Sequence, residues 1–204
     1  MNNSIKLALV GCGGISKAHV RGYADLFSRG CREFEVTACC DINEVNANAR
    51  AEEIAAFQGT TPQIFTDVDA MIQAEVAEAA DVCLPHAFHH TLGVQLLENG
   101  LHAMIEKPLG LTVKASKRLI EAAETHGRVL ATGENVRRYL SSRAFTWAIT
   151  QEKMMGDVLL ANIQSLDYRP STYESPAAKW RGIKHLSGGG MIMDSGAHFA
   201  DMVQ

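Results

Sequence analysis

Apolar residues in the first two thirds of the chain follow two alternating rhythms. Short, nearly unbroken apolar runs at residues 4–10, 34–40, 81–84, 101–105 and 128–132 have the length and continuity of strands buried on both faces. Between them, residues 14–27 repeat apolar side chains every few positions (Ile15, Ala18, Val20, Tyr23, Leu26), which predicts a helix. Helical spacing recurs at 45–57, 67–72, 89–98 and 112–126, with Gly59, Asn99-Gly100 and Gly127 as stop signals. Strands alternating with helices over short connections predict an α/β fold with a doubly wound parallel sheet covered by helices on both faces.

The texture changes after Gly133. A helix is expected over 145–153, a turn at Gly156-Asp157, and a strand at 158–168, the longest strand-like stretch of the chain. Residues 169–187 read as a loop, and 191–203 return to helical spacing. We therefore expect a domain at 1–133 and, at 134–204, the beginning of an α+β domain whose open sheet is incomplete. About 70 residues with one strand and two helices bury too little surface to close a core of their own. The strand would present an unpaired edge and an exposed apolar face.

Composition narrows the classes. Lys and Arg number 19 against 23 Asp and Glu, a net charge of −4, and no basic run favours nucleic acid as a partner. No apolar stretch nears the roughly 18 residues of a membrane span. Leu9-Val10-Gly11-Cys12 spells a lipoprotein cleavage box, yet the apolar run before it begins at Leu7, directly after Lys6. A leader needs an apolar core of about 7–15 residues, so the strand reading is preferred. The five cysteines are odd in number, with Cys39-Cys40 adjacent inside an apolar run, which fits buried reduced thiols in the cytoplasm. His86, His89 and His90 cluster without a Cys or acidic neighbour at ligand spacing, so no metal is expected.

Gly11-x-Gly13-x-x-Ser16 lies between a strand and a helix, the context in which such a turn binds a dinucleotide. Gly11 permits the tight turn, Gly13 allows close approach of a diphosphate, and Gly14 and Ile15 open the helix whose amides would hold it. Asp41 ends the second strand, where a carboxylate accepts hydrogen bonds from ribose hydroxyls; this favours NAD over NADP, whose 2′-phosphate it would repel. Glu106-Lys107-Pro108 follows the strand at 101–105, at the sheet end where ligands collect. Asp194 and His198 stand four apart in a helical stretch, so a carboxylate and an imidazole would share one face.

These motifs occur in order with others: Gly11-x-Gly13-Gly14-Ile15 with His19 downstream, Pro85-x-x-x-His89, Glu98-Asn99-Gly100-Leu101-His102 running into Glu106-Lys107-Pro108-Leu109, and Gly188-Gly189-Gly190-Met191-Ile192-Met193-Asp194-x-Gly196-x-His198-x-x-Asp201. The set resembles the glucose–fructose oxidoreductase/inositol dehydrogenase (Gfo/Idh/MocA) family along essentially the whole chain. That resemblance implies a Rossmann domain and hydride transfer between NAD and a carbon bearing a hydroxyl on a sugar, cyclitol or related polyol. It implies Lys107, Asp194 and His198 as catalytic residues, with Lys107 on the reacting oxygen, His198 exchanging the hydroxyl proton, and Asp194 orienting the ring or binding substrate. Gly11, Gly13, Gly14, Ile15, Asp41, Leu84, Pro85, His89, Glu106 and Lys107 would surround the cofactor. Asn135, Arg137, Trp180 and Arg181 would contact substrate, or for the Trp-Arg pair a neighbouring subunit. The Lys107–Pro108 peptide would be cis. Relatives continue well past the Asp-x-Gly-x-His helix, so the chain is expected to be part of a longer oxidoreductase that forms a homo-oligomer through its C-terminal sheet. Two other activities are compatible with the resemblance: a non-redox dinucleotide-binding regulator and an NAD-assisted glycoside hydrolase.

Overall fold

A computed structural model of the protein describes residues 4–154, 156–166 and 174–203. The chain divides into two units, Met1–Thr132 and Gly133–Gln204.

The first unit runs β1 (Ile5–Val10), α1 (Ser16–Ser28), β2 (Phe34–Cys40), α2 (Glu44–Gln58), β3 (Gln63–Phe65), α3 (Val68–Gln73), β4 (Ala79–Val82), α4 (His89–Glu98), β5 (His102–Ile105), α5 (Val113–Thr125) and β6 (Leu130–Thr132). All strands pair in parallel in the order β3-β2-β1-β4-β5-β6, the doubly wound arrangement expected. The strand order reverses direction between β1 and β4, and that crevice is where such sheets take ligands. β3 is absent from the sequence reading because three residues carry no measurable period. Pleating sends Ala8 and Val10 of β1 into one buried core, with Leu96, Leu97 and Leu119, and Leu9 into the other, with Val20, Tyr23 and Ile54. Local chemistry sets the helix starts: Asn43 accepts from the Val45 N–H, Asp67 from Ala70 and Thr112 from Ala115. Gly93 lets α4 lie close to the sheet, since a β-carbon there would fall 2.5 Å from methyls of Ile105 and Leu119.

The second unit contains a 3-10 turn at Val136–Arg138, then α6 (Leu140–Thr150), a 3-10 helix (Pro176–Gly182), α7 (Lys184–Ser187), α8 (Met191–Asp194) and α9 (Gly196–Met202). Three expectations need correction. The strand at 158–168 does not form: residues 158–166 make no ladder and are exposed, while 167 and 168 lie outside the described residues. A strand exists only by pairing, and among the described residues no partner is supplied, so its backbone groups turn to water. The loop at 169–187 is helical from 176 onward; its residues 169–173 lie outside the described residues. The helix at 191–203 is broken at Ser195 into α8 and α9. No helix among the described residues is long and apolar enough to cross a membrane.

Candidate active site

The turn after β1 is built by Gly11 at φ +88°, tied back by its N–H to the Cys40 carbonyl at 2.8 Å. A β-carbon there would lie 2.4 Å from the Cys83 carbonyl oxygen, so only glycine fits between β1 and the end of β4. At Gly13 and Gly14 a β-carbon would meet nothing within 4 Å, which leaves clear space over the start of α1. Ile15 is exposed, and no side chain caps α1, unlike α2, α3 and α5. Ser16 is fully buried and donates to the Gly13 carbonyl at 2.7 Å, so a small residue does the work of a third glycine and also braces the turn.

Asp41 follows β2 with both carboxylate oxygens engaged by main-chain donors, Cys12 N–H at 2.8 Å and Asn43 N–H at 2.8 Å. Each oxygen of an ionised carboxylate keeps a further lone pair, so Asp41 can still accept from ribose hydroxyls while it pins the turn. Leu84 and Pro85, just past β4, are half-buried, and a methyl of Leu84 lies beside Gly11. An open amide-lined turn with a carboxylate one strand away is a cradle that fits a dinucleotide.

Behind the turn lies a buried ionic network. His19 places Nδ1 2.7 Å from Asp81 and Nε2 3.0 Å from Glu106, and Tyr23, one helical turn further along α1, donates to the same Asp81 oxygen. Glu106 in turn accepts from the Lys107 N–H at 2.9 Å, and the Lys107–Pro108 peptide is cis as expected. Burial alone would push the His19 imidazole down, but hydrogen bonds to Asp81, Cys83 and Glu106 prevail and push it up to about 12. Burial pulls Glu106 the other way, yet His19 and Lys107 hold its carboxyl below the usual range. His19, Asp81 and Cys83 bring potential ligand atoms within 4.8 Å of one another. Protons suit the cluster better than a cation: both ring nitrogens already point at carboxylates, and burial pushes the Cys83 thiol up to about 12, whereas a metal takes a thiolate and a bare nitrogen.

The signs of these shifts make a pH prediction. His19 is raised on folding, so its stabilisation is complete below about 6.5 and drains away as pH climbs toward about 12. Glu106 is depressed, so its share is complete above the ordinary glutamate value and is lost in acid. Urea unfolding from pH 6 to 10 is expected to show the stability advantage over His19→Gln shrinking, by no more than about 1.4 kcal/mol per pH unit. An advantage independent of pH would mean that the ring is not charged.

His89 corrects another expectation. Its side chain is fully buried, with Nδ1 2.7 Å from the Pro108 carbonyl and Nε2 2.9 Å from the Leu84 carbonyl, so it has no face left for a cofactor. A neutral ring has one N–H to give, and donated to the nearer Pro108 carbonyl it braces the turn that carries Lys107. Burial holds this imidazole below its ordinary value, against the pull of the two carbonyls.

In the second unit the expected Asp194–His198 pairing is replaced. Ser195 divides α8 from α9, and Asp194 accepts from Arg181 Nε at 3.0 Å. His198 Nδ1 sits 2.8 Å from both oxygens of Glu134, which the sequence reading passed over although it followed a strand end in Gly133-Glu134-Asn135. A carboxylate at Nδ1 fixes the tautomer and leaves Nε2 with the lone pair, the arrangement of an oriented base. Of the residues expected at substrate, Arg181 also stacks on Trp180, with its guanidinium carbon 4.5 Å from the ring centre. Arg137 is committed to Asp201, with Nε 2.6 Å from Oδ2, and exposed Asn135 reaches the Tyr139 hydroxyl at 3.4 Å.

Comparison with known proteins gives the family of the fold. The family model described as "Oxidoreductase family, NAD-binding Rossmann fold" matches residues 5–134. D-glucoside 3-dehydrogenase of Escherichia coli (strain K12) is 26% identical over 204 residues, covering 98% of this chain and 53% of that protein. A glycosyl hydrolase family 109 protein of Shewanella sp. (strain ANA-3) is 22% identical over 195 residues, covering 92% of this chain and 41% of the other. The crystal structure of the WlbA dehydrogenase of Chromobacterium violaceum, in complex with NADH and UDP-GlcNAcA, superposes with a TM-score of 0.81 at 26% identity, covering 100% of this chain and 55% of that one. The chain thus spans about half the length of the relatives it matches. It belongs to the Gfo/Idh/MocA oxidoreductase family, which has an NAD-binding Rossmann fold.

Proposed function

We propose that the protein is an NAD-dependent oxidoreductase acting on a secondary hydroxyl or carbonyl carbon of a sugar, cyclitol or related polyol. The observation that carries this is the Gly11 turn, wedged against Cys83 and open over Gly13 and Gly14 at the point where the sheet order reverses. Relatives named as a glucoside dehydrogenase and an anhydrofructose reductase support the substrate class. Asp41 supports NAD rather than NADP, because a carboxylate would repel a 2′-phosphate.

Bound NAD supplies the acceptor or donor of the hydride. Lys107 is assigned to the reacting oxygen, where its ammonium stabilises developing negative charge. His198, oriented by Glu134, is assigned to take and return the hydroxyl proton through Nε2. Asp194, held by Arg181, is assigned to substrate binding with Trp180 and Asn135, while Arg137 holds α9 through Asp201. Leu84 and Pro85 line the cofactor side of the crevice; His89 and Glu106 support it from behind. The free thiols, four of the five buried, favour a reducing compartment such as the cytoplasm. Exposed Leu159, Leu160 and Leu166 favour a homo-oligomer in which that segment is covered.

The test is calorimetric titration of NAD and NADP, followed by nicotinamide absorbance with a panel of glycosides, anhydro sugars and polyols. Tighter binding of NAD and net NADH formation with one substrate class are expected. The family 109 relative raises a second reading, glycoside cleavage with the cofactor recycled. Release of an aglycone without net NADH would select it and discard the first.

A further inference from the structure

We propose that His19 is a positioning residue that couples the dinucleotide-binding helix α1 to Lys107, by clamping the carboxylates at the ends of two neighbouring strands. This rests on the oxidoreductase reading for its purpose, though not for its geometry. His19 sits one turn into α1, immediately behind the open turn at Gly13 and Gly14. Its two ring nitrogens reach Asp81 at the end of β4 and Glu106 just past β5. Glu106 then uses its other oxygen to accept the Lys107 N–H. From the far side, His89 holds the carbonyl of Pro108. The peptide carrying Lys107 is therefore gripped at its own amide and at the next residue's carbonyl.

Stability alone gives no reason for such a cluster. Buried ion pairs recover about what their desolvation costs, and well-packed apolar groups of the same volume do as well or better. What ions and directional bonds add is a defined geometry. The groups facing His19 come from every neighbouring element: Tyr23 through Asp81 from its own helix, Asp81 and Cys83 from β4 and its end, and Glu106, with Lys107 beside it, after β5. Two carboxylates against one ring require both nitrogens to carry protons, and the upward shift of the imidazole agrees. Whatever moves the start of α1 is thus passed to Lys107 through two hydrogen-bonded carboxylates rather than through soft apolar contacts.

The experiment uses the full chain, 15N-labelled. In the wild type the His19 ring is expected to show two protonated nitrogens and no titration between pH 5 and 10; a ring that titrates near 6.5 overturns the clamp. In His19→Gln, amide exchange at Lys107 is expected to accelerate at least about tenfold while the amides of β1 and β4 keep their protection. Unchanged protection at Lys107 in a folded variant, or an equal loss at all three places, overturns the proposal. Should His19→Gln fail to fold, Asp81→Asn is read in the same way, since it removes one of the two charges that face the ring and leaves the Glu106 oxygen that holds the Lys107 amide unchanged. Where turnover is measurable, His19→Gln is expected to lower kcat about 10–100-fold with KM and NAD affinity within about threefold. Absence of any nicotinamide reduction would end the oxidoreductase reading, and amide exchange at Lys107 would still decide this one.

Discussion

Gly11→Ala is expected to destabilise the first unit by about 3–5 kcal/mol and to abolish dinucleotide binding. Two independent penalties combine. At φ +88° any residue with a β-carbon is strained, and the new methyl would sit 2.4 Å from the Cys83 carbonyl oxygen and 2.8 Å from its carbon. Those are backbone atoms at the end of β4, which cannot swing aside as a side chain would. Relief would have to come from separating β1 and β4, and these two strands carry the crevice itself. The control is Gly13→Ala, whose methyl would point into open space. It is expected to leave the melting temperature within a few degrees of wild type while weakening NAD affinity at least about tenfold, because that space is the room a diphosphate needs. Thermal melts and calorimetry of the two variants side by side decide the matter. A stable Gly11→Ala that still binds NAD, or a Gly13→Ala that melts early and binds normally, would remove the basis for the cradle.

The second large effect concerns the proton. His198→Asn is expected to reduce turnover about 10²–10⁴-fold, the range for loss of a positioned acid–base group. Glu134→Gln keeps the size and one acceptor but loses the charge that favours the oriented, proton-accepting ring, and about a 10–100-fold loss is expected. The two substitutions should be far from additive, since the carboxylate acts through the ring it holds at 2.8 Å. Replacing Asp194 by Asn is expected to raise KM more than it lowers kcat, because Asp194 is held by Arg181, whereas His198 is held by Glu134. Turnover of the single and double variants with the preferred sugar gives the cycle. Additive losses at His198 and Glu134, or a larger kcat effect at Asp194 than at Glu134, would return the orienting role to Asp194.

The contrast between those two carboxylates shows where pattern reading stopped. Asp194 and His198 stand four apart, and in a continuous helix that spacing places them together. The structure instead gives Asp194 to Arg181 and His198 to Glu134, with Ser195 dividing α8 from α9. Glu134 lies 64 positions from His198, and no periodicity reaches that far. Likewise His89 was legible as a motif residue, but its full burial between two carbonyls depends on where β4 and the Lys107–Pro108 turn meet. His19 was noticed as a companion of the glycine turn, and nothing local indicated that Asp81 and Glu106, 62 and 87 residues on, would flank it.

From order and spacing alone came the alternation of strand and helix, the parallel sheet, the glycine turn with Asp41 one strand later, and the lysine beyond a strand end; the family came from the resemblance of the motif set. These are properties of neighbours along the chain: side-chain period, backbone freedom at Gly11, and stop signals at Gly59, Asn99-Gly100 and Gly127. Tertiary structure alone decided which carboxylate meets which imidazole, that His89 is buried between two carbonyls, and that the segment at 158–166 makes no strand. Each of these is a pairing between distant residues or the lack of one. Hydrogen bonds and ladders form with whatever the fold brings within about 3 Å, and the linear order of residues does not contain that distance.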